Sequence, residues 1–419
     1  MRIILAPLRR HSLMPALVLL QVALACAILC NVFFLAWQRL QPMLAPSGVD
    51  VENLILVDNL TAQGRTFTAA ESVAGEEALR AVPGVRAASS GFGLPMVSIA
   101  SIIVNLQGPT HAAVGVNAFF GKGLVQTLGL QMVAGRDFLP SEYQPWGLGA
   151  SNGSHSDWDT GVTQPVIITQ ALADKLFGAT PAVGQLLTDP DPTDKSDHGY
   201  QVVGVVKHLL RNELGLATDG RADYTVLLAR NIGNTAMLSY AVRVDPAMRD
   251  IALKGVKNAI KRQFSEATVG GGPQARVESY AERRDAAFKD SRATLWLLLG
   301  MVLAIVIVTL AGIMGLTGFW VQRRTRQIGI RRALGARRAH ILRYFLAENL
   351  LIVGTGIVVG MALAYVANIL LMHYYELPHL PWTYLPVGAM VMLAIGQVGV
   401  LAPALRAAAV PPVVATRLV

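Results

Sequence analysis

Long apolar runs and one long mixed stretch divide the chain. Four runs, 14–37, 294–320, 341–372 and 385–405, are long enough to cross a hydrocarbon core, which takes about 20 apolar residues. Between the first and second lie residues 38–293, where the period changes from segment to segment. The runs "NLILVD", "AAVGVNAFF", "QPVIITQ", "YQVVGVVKHL", "YTVLLAR" and "LSYAVRV" are rich in β-branched residues and bounded by Gly, Pro or Asp, so they predict strands. "AAESVAGEEALRAV", "QALADKLFG" and "MRDIALKGVKNAIKRQFSE" place apolar residues three and four apart and predict helices. The insertions "YQPWGLGASNGSHSDWDTG" and "TDPDPTDKSDHG" are turn-forming and predict exposed loops. An α+β domain of one or two lobes is therefore expected between the first two spans.

Composition agrees with a membrane protein. Of 419 residues, 53% are hydrophobic and only 15% charged, where about 25% charged is usual for soluble domains. The net charge of +9 changes meaning once it is located. Residues 39–292 hold 23 basic and 25 acidic side chains, whereas the other 13 basic residues are all arginines flanking the apolar runs. Basic residues concentrated in short flanking loops fix orientation by the positive-inside rule, and no aromatics interleave them as a nucleic-acid groove requires. The fold class expected is a membrane α-helical protein with four transmembrane helices, N-in and C-in. A large α+β extracytoplasmic domain (38–293) separates helices 1 and 2. Residues 1–13, 321–340 and 406–419 fall on the cytoplasmic side and 373–384 form a periplasmic turn. A cleaved signal peptide is the alternative for 14–37, but the run exceeds the roughly 7–15 residues of a signal core and "LAWQRLQPM" offers no small-residue cleavage site. Cys26 and Cys30, the chain's two cysteines, lie in this span, so the α+β domain relies on its own core rather than on disulfides.

Catalytic motifs are scarce. No phosphate-binding G-x-x-x-x-G-K-[ST] loop is present, so this sequence does not hydrolyse ATP in that manner. "GASNG" matches G-x-S-x-G around Ser151, but without the strand before and helix after that a nucleophile elbow needs. Asp189, Asp191, Asp194 and Asp197 lack the order of an EF-hand, and the eight histidines show no zinc spacing. A non-catalytic subunit with no metal and no directly bound cofactor is expected.

The segment between the second and third spans carries more information. Arg323 to Arg343 holds eight arginines with no lysine and no acid, and Gly335 divides it with a helix-ending signal. A basic amphipathic segment on the inner face either lies on anionic lipid or docks a soluble partner. Glu348 follows inside the third span, where an unpaired carboxylate is costly and a partner such as Arg343 or an arginine of the preceding loop is expected, either as a fixed ion pair or as a latch. Gly312 and Gly315 in the second span, and Gly356 and Gly360 in the third, have the small-residue spacing that lets helix backbones approach, within one chain or between two.

These residues also carry a resemblance. "RTRQIGIRRALGARRAHILRYFLAENLLIVGTGIVVG" strongly resembles the signature of the FtsX-like permease domain found in MacB-type ABC exporters, lipoprotein-releasing permeases and FtsX itself. That family has a basic residue, Glu-Ile-Gly, Arg-Ala-x-Gly-Ala, an Ile and a Glu in this order. Arg326, Ile328, Gly329, Arg332, Ala333, Gly335, Ala336, Ile341 and Glu348 fit it, and Gln327 departs from it by replacing the glutamate. "LAPALRAAAVPPVVATR" is similar to the family's C-terminal Pro-Ala-x-x-Ala, and "FFGKGLVQTLGLQMVAGRDF", "PVIITQALADKLFGATPAVGQLL" and "YQVVGVVK" resemble the MacB-type periplasmic core domain.

The resemblance implies a permease of an ABC-type exporter in a bacterial inner membrane, without the fused ATPase of MacB. A cytoplasmic ABC ATPase would hold ATP and Mg on a separate chain. The permease would pair with a second copy or a paralogue, the latter suggested by Gln327. Arg326, Gln327, Ile328, Gly329, Arg331, Arg332, Ala333, Gly335 and Ala336 would form the coupling helix that docks on the ATPase. ATP-driven closure would reach the periplasmic domain by mechanotransmission, with a periplasmic adaptor and a TolC-like outer-membrane duct as further partners. The alternative is an FtsX-like transducer that activates a periplasmic enzyme. Its smaller outer domain and longer N-terminal tail fit this sequence less well.

Overall fold

The structure, a computed structural model, describes residues 13–61, 65–96, 102–109, 113–147, 163–188, 199–210, 221–264, 275–375 and 381–409. The helices in chain order are α1 (Leu13–Leu44), α2 (Ala69–Arg80), α3 (Leu124–Leu128), α4 (Gln170–Phe177), α5 (Arg249–Gln263), α6 (Tyr280–Ala287), α7 (Lys289–Ala333), α8 (Arg338–Tyr375) and α9 (Tyr384–Ala409). The strands are β1 (Leu54–Thr61), β2 (Val85–Phe92), β3 (Ile102–Gln107), β4 (Ala113–Gly121), β5 (Met132–Gly135), β6 (Gln144–Trp146), β7 (Gln164–Thr169), β8 (Leu186–Leu187), β9 (Tyr200–Val206), β10 (Thr225–Ile232), β11 (Met237–Val244) and β12 (Arg276–Ser279). The chain divides into two compact units, Met1–Gln41 with Asp290–Val419, and Pro42–Lys289.

In the first unit, α1, α7, α8 and α9 are long and apolar enough to cross a membrane. Their shared core includes Val22, Leu29, Ile313, Val353 and Met392. Close approach depends on glycine. A Cβ at Gly360 would stand 2.6 Å from the Ala23 carbonyl oxygen of α1, and one at Gly356 would stand 2.8 Å from a Val22 methyl. A Cβ at Gly312 would strike the flexible Gln21 side chain, whereas one at Gly315 would meet nothing within 4 Å. Gly356 and Gly360 thus pack within this chain. Cys26 and Cys30 are buried, their thiols directed at the Ile357 and Leu385 carbonyls at 4.0 and 3.9 Å. They act as small packing residues. α7 is the least covered of the four, and leaves Trp296, Leu303 and Val308 exposed, as suits a lipid-facing or partner-facing surface.

The second unit is a mixed sheet with the path β12-β1-β11-β2-β4-β10-β7-β9-β5, to which β3, β6 and β8 add at β4, β10 and β9. β10 lies parallel to β4 and antiparallel to β7, and β7 is parallel to β9. The sheet runs through as one body, answering the choice between one lobe and two. Helices cover both faces, so the central strands are apolar on both sides rather than alternating. Val166 and Ile168 of β7 join Leu79, Leu172 and Val256 in one core, while Ile167 joins Leu124, Leu128 and Tyr280 in the other. α2 begins at a capping box in which Thr68 accepts from the Glu71 amide and Glu71 accepts from the Thr68 amide. On the face that α6 covers, Asp58 of β1 and Arg283 of α6 make a two-point ion pair at 2.5 and 3.0 Å, both side chains almost wholly buried.

Candidate functional site: the arginine hairpin between α7 and α8

The segment expected as a loop with a short helix is largely the end of the second apolar helix. α7 continues unbroken from Lys289 to Ala333, because nothing between Arg323 and Ala333 interrupts helical geometry. It stops where the sequence signals: Gly335 adopts φ +95, and the Ala336 amide donates back to the Arg331 carbonyl at 3.0 Å, which closes the last turn as a Schellman-type cap. α8 starts three residues later, at Arg338.

Within this hairpin the two ends of the motif face each other. Ile328 and Gly329 turn inward, with Ile328 sharing the buried cluster that contains Ile341 and Phe345 of α8. Gln327, Arg331, Ala333 and Gly335 are exposed, and Ala336 is half-buried. The side chains of Arg326 and Arg332 lie outside the described residues. Two apolar side chains also face outward at the tip, Ile330 at 48% and Leu334 at 83% exposure. In the sequence both belong, with Ile328 and Ala333, to the apolar residues of the basic amphipathic segment. The turn at Gly335 leaves both without cover.

Glu348 is buried and meets Arg324 of α7, whose Nη1 lies 3.1 and 3.2 Å from the two carboxylate oxygens. Arg343 is not the partner. It is exposed, and five residues along a helix separate it from Glu348 by about 140° of rotation, so the two leave opposite sides of α8. The Arg324 guanidinium also stands over the Trp320 ring, 4.5 Å from its centroid, and Arg331 stands over Tyr344 at 5.0 Å. The ion pair, with Trp320 against its guanidinium, and the Arg331–Tyr344 contact both tie the end of α7 to the start of α8. Asn349, next to Glu348, donates to the Gly396 carbonyl of α9 at 3.0 Å and ties the same level to the fourth helix. Voids of about 20 and 30 Å³ flank the pair, one lined by Trp320, Glu348 and Asn349 and the other by Arg324, Gln327 and Arg331. Ser151 and the Asp189, Asp191, Asp194 and Asp197 cluster lie outside the described residues.

Residues 299–412, which include the whole hairpin and the Arg324–Glu348 pair, match the family model described as FtsX-like permease C-terminal. Over this segment the chain is similar to FtsX-like permeases. Among curated proteins it is 28% identical over 263 residues to the macrolide export ATP-binding/permease protein MacB 1 of Aeromonas hydrophila, covering 61% of this chain and 38% of that protein. It is 31% identical over 205 residues to the pyoverdine export ATP-binding/permease protein PvdT of Pseudomonas syringae, covering 47% of this chain and 29% of that one. The chain thus spans less than half the length of these relatives. Among solved structures, the periplasmic region of MacB from Actinobacillus actinomycetemcomitans aligns with 59% of this chain and 97% of its own, at 12% identity and a TM-score of 0.35.

Proposed function

We propose that the chain is the permease of an ABC-type exporter, in which an ABC ATPase docks on the arginine hairpin at the cytoplasmic face. ATP and magnesium reside on that ATPase, and a second permease copy or paralogue completes the transport unit. The observation that carries this reading is the uncovered tip of α7, where Ile330 and Leu334 stand exposed among arginines in the segment that matches the permease family model. Apolar side chains in that setting are the centre of a docking surface, and the arginines around them form its charged rim. The names of the relatives, which pair export with ATP binding and permease functions, support the same assignment.

Mechanically, the hairpin is one piece with a membrane helix. Closure of the ATPase displaces the tip, the Arg324–Glu348 pair carries that displacement from α7 to α8, and α7 conveys it toward the domain that precedes it in the chain. The domain would lie in the periplasm of a bacterial inner membrane, where it hands cargo to a periplasmic adaptor and a TolC-like outer-membrane duct.

Affinity purification from native membranes with identification of co-purifying proteins tests the assignment. An ABC ATPase recovered with the wild-type chain and lost with Leu334→Asp is the expected result. Equal ATPase recovery from the variant would remove the hairpin from the docking surface, and the absence of any ATPase from the wild type would remove the exporter reading altogether.

A further inference from the structure

The face of α7 that meets α8 carries a polar track into the helix bundle. Thr317, Trp320, Arg324, Gln327 and Arg331 follow one another at three- and four-residue spacing, which places them on one side of the helix. At 1.5 Å per residue the track runs for about 21 Å, from the exposed Arg331 to the half-buried Thr317. The two voids that flank the ion pair lie along it. Arg324, Gln327 and Arg331 line the outer one, about 30 Å³, and Thr317 and Trp320 line the deeper one, about 20 Å³. Phe345 of α8 borders both and is itself 7% exposed.

Protein groups serve the deeper void incompletely. The buried Glu348 carboxylate takes hydrogen bonds from one nitrogen, Arg324 Nη1, at 3.1 and 3.2 Å, and from no other side chain among the described residues. A carboxylate has about four acceptor sites, and charge-assisted contacts to a cation usually run at about 2.7–2.9 Å. Acceptor capacity is therefore left over at a residue that borders the void. Asn349, buried beside it, spends its amide N–H on the Gly396 carbonyl and keeps its side-chain oxygen, and Thr317 adds a hydroxyl. Hydrocarbon offers such groups nothing, so inside a bundle they are met by protein or by ordered water. A water molecule needs roughly 10–15 Å³ in which its centre can move and two to four polar partners, and the deeper void offers both.

We infer that both voids are sites for ordered water, and that in the deeper one the water donates to the Glu348 carboxylate and is held by Asn349 and Thr317. The Arg324–Glu348 contact is then hydrated along the seam between α7 and α8. Parting it exchanges direct hydrogen bonds for water-mediated ones instead of stranding two charges among apolar side chains. The inference concerns the helix bundle alone, and it holds or fails whether or not an ATPase docks on the hairpin. The full chain in phosphatidylcholine nanodiscs is exposed to brief X-ray pulses that turn water into hydroxyl radicals, and oxidation of each side chain is followed by mass spectrometry. A buried side chain is oxidised where bound water lies against it. Phe345 should be oxidised on the order of tenfold faster than Met392, which is fully buried in the same core, although methionine is the more reactive side chain. Thr317→Leu, which fills the deeper void, should lower the oxidation of Trp320 about threefold or more and that of Phe345 about twofold, because the outer void still supplies Phe345. Thr317→Val keeps the space but removes the hydroxyl, should act in the same direction, and carries the test if Thr317→Leu lowers the melting temperature. Oxidation of Phe345 no faster than that of Met392 would overturn the inference. Oxidation of Trp320 that neither variant changes would overturn it too, since the radicals would then come from outside the bundle.

Discussion

Two buried ion pairs do different work at the scale of single residues. Asp58 and Arg283 join a strand to a helix inside the α+β domain, and their two-point contact leaves little room for movement. Removing one partner strands the other charge, so Asp58→Ala is expected to cost about 3–5 kcal/mol, read as a lower denaturation midpoint of the full chain. Arg324 and Glu348 sit where two long helices meet, and here single and double variants separate structure from signal. Arg324→Ala or Glu348→Ala should lower thermal stability by a similar amount, whereas Arg324→Met with Glu348→Leu should recover most of it. If the pair transmits movement, the recovered double variant will fold and still bind the ATPase yet fail to couple its activity to export. An exporting double variant would assign the pair to stability alone. At the surface of the α+β domain, hydrogen bonds from Arg136 hold the Glu142 carboxyl below its ordinary value, with the Leu139 amide adding to the effect. A carboxyl so lowered contributes stability above its unfolded pKa, and that contribution is lost as pH falls through the lowered folded value. Glu142→Gln should therefore cost up to about 1 kcal/mol near neutrality, and the gap between variant and parent should close in acid, checked by urea titrations across pH.

Among the elements, the glycines of α7 and α8 look equivalent in sequence but differ in surroundings. Gly360 has a carbonyl oxygen of α1 at 2.6 Å from where its Cβ would be, while Gly315 has open space. Gly360→Val should force α1 and α8 apart at a cost of about 1–3 kcal/mol, and Gly315→Val should leave the melting temperature nearly unchanged. The spacing rule identified helices that pack by small residues, but it says nothing about which neighbour fills each notch, since that depends on tertiary placement. The strands divide in the same way. β1, β4, β7, β9, β10 and β11 were legible because burial on both faces demands continuous β-branched runs. β2, in contrast, reads "VRAASSGF" and carries no such signal, yet it lies in the middle of the sheet. Its buried Ser90 is satisfied by Glu76 at 2.6 Å and its Ser89 by Thr127 at 2.7 Å, partners that only the folded sheet supplies. The candidate site was legible down to Glu348 and its need for a cation. The identity of that cation, Arg324, depends on the crossing of two helices, and so does the exposure of Leu334, since a helix end loses its packing stripe once the chain turns back.

For the whole molecule, the decisive feature is that the proposed docking tip and the start of the second membrane helix belong to one unbroken helix. At 1.5 Å per residue, α7 is on the order of 65 Å long, and its first residue, Lys289, is the last residue of the α+β unit. A helix of that length carries axial and tilting displacement as a single body, provided no flexible joint interrupts it. Inserting Gly-Gly-Ser after Thr294 introduces such a joint while leaving the hairpin and the Arg324–Glu348 pair untouched. If export depends on mechanical transmission through α7, the insertion variant should retain the ATPase on purification and retain nucleotide hydrolysis, but lose export and lose any stimulation of hydrolysis by cargo. Export surviving the insertion would mean that cargo moves by a route that does not need α7 as a rod, and that the length of this helix serves packing alone.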